Sequence, residues 1–304
     1  LKGIAVNGFI LIGLIYKKMK TLLYATDYSE NSVSALKYAH VLSQNLGLRM
    51  VVTHVFNSPT VVGTEVFDDL PNMGGKEFKL HRSRLEEFCG KYLGSSWENA
   101  NIRIEAVKNN AVIKGIISKA EEWHAQMIIV GTKGENGLEE MILGSTTKKL
   151  IEKAPCPVLA IPPGVVRTNI RTMVYATDFE EEDIHAIQKL TDIAKPLGAM
   201  IKVVHVSTNE DYAGDLSMEW FKDMLQSKVD YPNIEFELLF SEDIFDTLRV
   251  YLGVVNADIV VMLEREKKGF LNKWFHKDLV KKMEGYGKIT LMSFNEHNHK
   301  TLFF

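Results

Sequence analysis

From residue 21 to residue 161, short apolar runs alternate with longer stretches whose apolar residues recur at helical spacing. The runs at 21–25, 50–56, 102–107, 127–131 and 157–161 have the length of strands. Helices are predicted between them at 30–46, 77–93, 111–123 and 139–153. On the first helix Val33, Leu36, Tyr38, Ala39, Leu42 and Leu46 form a broad apolar stripe. Strands apolar on both faces imply a sheet covered by helices on both sides. The β–α alternation then points to a doubly wound parallel sheet, with ligands at the carboxyl ends of the strands where strand order reverses.

The pattern occurs twice. Tyr24-Ala25-Thr26-Asp27 recurs as Tyr175-Ala176-Thr177-Asp178, and the same offset of 151 residues carries His54-Val55 onto His205-Val206. Further on, Gln126–Val130 matches Asp258–Met262 at an offset of 132, and Pro157–Ala160 matches Ile289–Met292 at that same offset. The second copy has therefore lost 19 residues, assigned to the loop at 57–75. A breaker cluster, Pro162-Pro163-Gly164, marks the boundary. This gives a domain at 20–163, a second at 169–295, a tail at 296–304 and a leader at 1–19.

The leader is apolar over residues 4–16, shorter than the roughly 20 residues a spanning helix needs. Met19, just before the first strand, reads as the natural start. A signal-like segment and a segment packing on a partner surface are the alternatives. Composition adds little else. With 36 basic and 39 acidic residues the net charge is −3, which argues against a nucleic-acid partner, and no membrane partner is expected. The two cysteines, Cys89 and Cys156, share no motif and read as buried thiols of a reducing, cytoplasmic protein.

Chemistry concentrates after the fourth strand. Gly131-Thr132-Lys133-Gly134 is followed, after nine intervening residues, by Gly144-Ser145, where a helix could offer free backbone N–H groups. Glycines leave backbone N–H groups uncovered, and a helix start and a hydroxyl supply further donors, as a phosphate requires. Taken alone, a tight strand–helix turn explains the same glycines. Neither G-x-x-x-x-G-K-[ST] nor G-x-G-x-x-G is present. No catalytic triad, metal-ligand spacing or acid/base carboxylate pair stands out either. Asp27 could cap the helix that follows it, Ser145 could serve only as an N-cap, and His54 and His205 read as structural.

The Gly-x2-Gly-x9-Gly-Ser loop, the following Ala154-Pro155-Cys156-Pro157-Val158-Leu159 and the opening Thr26-Asp27-Tyr28-Ser29-Glu30 together resemble the universal stress protein family. The resemblance implies an adenine nucleotide alpha hydrolase-like α/β fold: two tandem doubly wound five-stranded parallel sheets, each of order 3-2-1-4-5, with helices on both faces. It implies ATP, or AMP or ADP, with Mg2+, as the ligand of the first domain. Asp27 and the backbone of Val55 would hold base and ribose. Gly131 would lie near the ribose, with Gly134, Gly144, Ser145 and Thr146 around the phosphates and Lys133 a weaker candidate. Such domains pair through their last strands, so residues 157–161 and 289–293 would join as an intramolecular pseudo-dimer, with homodimers a further form.

In the second copy Gly131, Gly134, Gly144 and Ser145 become Leu263, Glu266, His276 and Lys277, so side chains and acidic charge occupy the phosphate corner. The expectation is a stress-response regulator that binds nucleotide in its first half only and at most hydrolyses it slowly. The alternative is a nucleotide-independent adaptor for an unknown protein partner, using Trp97 and the acidic loop at 65–69.

Overall fold

A computed structural model describes residues 20–57, 70–97, 100–132, 143–165, 169–208, 214–265 and 289–295. The first half runs β1 (Thr21–Ala25), α1 (Glu30–Asn45), β2 (Arg49–Phe56), α2 (Leu70–Leu93), β3 (Ile102–Lys108), α3 (Val112–Glu122), β4 (Ala125–Gly131), α4 (Ser145–Lys153) and β5 (Val158–Ile161). The second runs β6 (Thr172–Ala176), α5 (Glu181–Leu197), β7 (Met200–Ser207), α6 (Gly214–Lys228), β8 (Ile234–Phe240), α7 (Ile244–Val254), β9 (Ile259–Glu264) and β10 (Thr290–Asn295).

Successive residues of a strand point to opposite faces, and here both faces are buried. Leu22 and Tyr24 enter one core with Leu36, Leu42 and Phe88, while Leu23 and Ala25 enter the other with Ile116, Leu150 and Ile151. Helices α1, α2, α5 and α6 thus cover one face, and α3, α4 and α7 the other. This is the geometry that near-continuous apolar strands require.

The strands form one sheet, ordered β3-β2-β1-β4-β5-β10-β9-β6-β7-β8. Each half has the order expected from the sequence. Within each half all pairings are parallel, and the halves meet where β5 and β10 run antiparallel, with Met292 opposite Leu159. The two five-stranded sheets are therefore continuous.

Two details differ from the sequence reading. Val158 lies beside Ile128, but Leu291 lies beside Val260, so equivalent residues of the last strands are 133 apart rather than 132. Burial agrees, because Val158 and Leu291 share one core and Leu159 and Met292 the other. The shortening of the second copy is also not confined to a loop. Helix α2 starts at Leu70, inside the stretch read as loop, and has 24 residues against 15 in α6.

Both cysteines are free and buried. Burial, with Glu86 nearby, pushes the Cys89 thiol up to about 12, and burial likewise raises that of Cys156, so neither is a reactive thiolate. Among the described residues no helix is long and apolar enough to cross a membrane. The leader, the tail, the acidic loop at 65–69, Lys133, Gly134, Glu266, His276 and Lys277 lie outside the described residues.

Candidate functional site

The carboxyl end of β1 is held by a frame of hydrogen bonds that occurs in both halves. Thr26 Oγ1 accepts from the Tyr28 N–H at 3.0 Å, and the Thr26 carbonyl accepts from His54 Nδ1 at 2.8 Å. In the second half Thr177 does the same for the Phe179 N–H at 2.9 Å and for His205 Nδ1 at 2.7 Å. The turn after each strand carries a left-handed residue, Tyr28 with φ 65° and Phe179 with φ 59°. Each aromatic ring packs on its histidine, with centroids 4.4 and 4.5 Å apart. A backbone conformation unfavourable for a bulky side chain is thus held by the bonds around it. Burial pulls His54 below the usual imidazole range, which favours the neutral ring donating through Nδ1. The repeated histidines are structural, as their place at the strand ends implied.

Asp27 follows this frame, exposed, with Oδ1 accepting from the Ser29 N–H at 3.0 Å. This is an Asx turn ahead of α1, whose N-cap is Ser29 with no side-chain cap, so Asp27 does not cap the helix and lies exposed just after β1. Val55 lies just past the point where β1 stops pairing with β2: the last register pair is Ala25 with Thr53, while pairing with β3 continues through Phe56. The β1-facing backbone at Val55 is thereby left outside the ladder. Its side chain is taken up by packing, since a Cβ added at Gly115 on α3 would fall 2.8 Å from it.

Strand order reverses between β1 and β4, so a crevice is expected at their carboxyl ends. Gly131 closes β4 there. A Cβ on Gly131 would lie 2.8 Å from the Asn31 carbonyl oxygen and 3.2 Å from Ser32 Cα. The glycine therefore lets α1 approach the strand, which explains its identity without a ligand. Gly131→Ala is expected to cost about 1–3 kcal/mol, checked by urea unfolding, because the obstruction is backbone that cannot rotate away. Next to it, Thr132 is buried, and its hydroxyl finds no partner among the described residues.

Gly144 is the N-cap of α4, with φ −62° and no side-chain cap; Ser145 and Thr146 are exposed in the first turn. The first N–H groups of a helix have no partner inside it, so this end presents amides and hydroxyls outward. The structure thus brings Asp27, Val55, Gly131, Gly144, Ser145 and Thr146 to one end of one sheet. Trp97, by contrast, is half-buried against the core.

The corresponding end of the second half is built differently. Asp183 stands where the first half has Ser32, 151 residues earlier, and it is buried. It accepts from Tyr175 Oη and Thr177 Oγ1, both at 2.8 Å, and from the backbone N–H groups of Asp178 and Glu180. Arg265, on the residue after β9, reaches in: Nη1 donates to Asp178 Oδ2 at 3.1 Å, Nη2 lies 2.9 Å from Asp183 Oδ1, and Nε lies 3.6 Å from Glu180. The Asp183 contact is an ion pair by distance rather than an aligned hydrogen bond, since Nη2 has no hydrogen-bond partner by geometry. Three carboxylates thus surround one guanidinium, and Leu263 is buried where the first half has Gly131. No motif around Arg265 marks it for this contact. The repeat itself held the missed signal, since it aligns Ser32 with Asp183.

A cavity of about 180 Å3 remains beside Asp178, walled by Val204, Val206, Ile244 and Leu248. Helix α7 carries Thr247 where α3 carries Gly115, so the second half lacks the glycine that lets α3 close on Val55.

The molecule is therefore a tandem α/β protein whose two halves share one sheet, with a polar strand-end site in the first. Residues 18–162 match the universal stress protein family, so the first half carries a domain of that kind. A universal stress protein of Methanocaldococcus jannaschii is 27% identical over 165 residues, covering 49% of this chain and 97% of that protein. A second from the same organism is 27% identical over 168 residues, covering 53% and 91%. A universal stress protein structure from Archaeoglobus fulgidus superposes over 90% of this chain and 98% of its own, at a TM-score of 0.63 and 17% identity. That likeness shows that the whole tandem arrangement is an existing fold.

Proposed function

We propose that the first half binds ATP or a related adenine nucleotide, and that the protein acts as a stress-response regulator through the bound state. The observation that carries this reading is the start of α4: a helix with no side-chain cap, opened by Gly144 and exposing Ser145 and Thr146, in the half where strand order reverses between β1 and β4. Free amides and a helix dipole are suited to phosphate oxygens. The buried Thr132 hydroxyl adds a polar group at the floor. Asp27 and the unpaired edge of β2 at Val55 would read the adenosine end. Gly134 would join the phosphate contacts, and Mg2+ would arrive on the nucleotide and neutralise its phosphates.

The second half serves as the structural partner. Its site already holds Arg265 among Asp178, Glu180 and Asp183, a surplus of negative charge that disfavours a triphosphate. Covalent linkage keeps β5 and β10 together at high effective concentration. Calorimetric titration with Mg·ATP tests the reading. A dissociation constant on the order of micromolar is expected, with one site per chain. No heat of binding, or two equal sites, would remove it.

A further inference from the structure

We propose that the second half completes the phosphate end of the first half's site from behind, through Asn295. The inference rests on the nucleotide reading above and names how that site is held. Helix α4 has only 9 residues, with Thr147, Leu150 and Ile151 its buried positions. A helix that short is marginal by itself, so packing and end contacts fix where it lies. Its last carbonyls need partners, as every helix C-terminus does.

Two of those partners come from the other half. Asn295, the last residue of β10, is buried, and its Nδ2 donates to the carbonyls of Ile151 at 2.8 Å and Ala154 at 3.0 Å. Only the amide nitrogen can donate to two carbonyls, so this contact also fixes the orientation of the side chain. The helix is a rod about 13 Å long. One end presents the amides proposed to meet phosphate, and the other is gripped by the second domain. Asn295 itself is not repeated in the first half. With last-strand equivalents 133 residues apart, the first-half counterpart of Asn295 is Pro162, whose side chain has no donor. Helix α4 thus turns its open start toward the proposed ligand and receives the cap at its other end, and Asn295 is a positioning residue for that ligand.

The test is a titration of full-length wild type, Asn295→Ala and Asn295→Ser with Mg·ATP and, separately, with adenosine, which has no phosphate to meet α4. Asn295→Ala is expected to weaken ATP binding about ten-fold, a coupling of ordinary size, while adenosine affinity is unchanged. Asn295→Ser keeps one donor and is expected to lose less; it also carries the test if the alanine variant does not fold. Equal ATP affinity in wild type and both variants overturns the inference, and so does an equal loss for ATP and adenosine, which marks a general structural role. A wild type that binds no ATP removes the nucleotide reading itself, an outcome visible before any variant is made.

Discussion

Arg265→Ala is expected to destabilise the second half by about 3–5 kcal/mol, the usual cost of stripping one partner from a buried charge cluster. The Arg265 side chain is 11% exposed and that of Asp183 2%, so the carboxylate cannot turn to water once the guanidinium is gone. Asp183 would still accept from Tyr175 and Thr177, but it would lose the guanidinium 2.9 Å away while the carboxylates of Asp178 and Glu180 stay near it. The first half shows a neutral solution: Ser32 takes the Thr26 hydroxyl at 3.0 Å and donates to the Ser29 carbonyl. Combining Arg265→Ala with Asp183→Ser should therefore recover much of the loss, a non-additivity that a double-mutant cycle measures by urea unfolding. Additive losses would mean that Arg265 stabilises the fold through something other than Asp183.

The second large effect is at Gly144. Gly144→Asp is expected to weaken Mg·ATP binding by at least about a hundred-fold, because a carboxylate near a phosphate costs about 4 kcal/mol at an effective dielectric of 20. Stability should move the other way. Gly144 has an extended backbone that any residue adopts, and aspartate is a better N-cap than glycine. Helix α4 gains a cap while the ligand loses its amides, so lost binding with an unchanged or raised unfolding midpoint isolates the site from the fold. Calorimetry and thermal unfolding on the same preparation read both. Lost binding with a lowered midpoint would instead point to a disturbed helix.

Much of the fold was legible because period-2 burial on both faces writes itself into nearly continuous apolar strands, as at Thr21–Ala25 and Val158–Ile161. The repeat of Tyr-Ala-Thr-Asp located the strand ends, and the frame around Thr26 and Thr177 shows why those residues recur together. Other features do not reside in local pattern. The one-residue shift of the last strand, from 132 to 133, is visible only in the register with β4 and β9. The start of α2 at Leu70 was hidden because Pro71, Gly74 and Gly75 are helix-breaking residues by propensity. The reach of Arg265 to Asp178, and of Asn295 to α4, joins residues 87 and more than 140 positions apart, which no spacing rule connects. At Gly131 the approach of α1 is a second reason for a glycine, one that the local sequence does not display.

Crystals of the full chain soaked with Mg·ATP put the central claim to the most direct trial. The expected result is a triphosphate against the amides of Ser145 to Thr147, its base directed toward Asp27 and Val55, with Arg265 still paired to Asp178 in the other half. A nucleotide seated beside Asp178 with Arg265 displaced, or a first-half crevice left without density at saturating ATP, would contradict it.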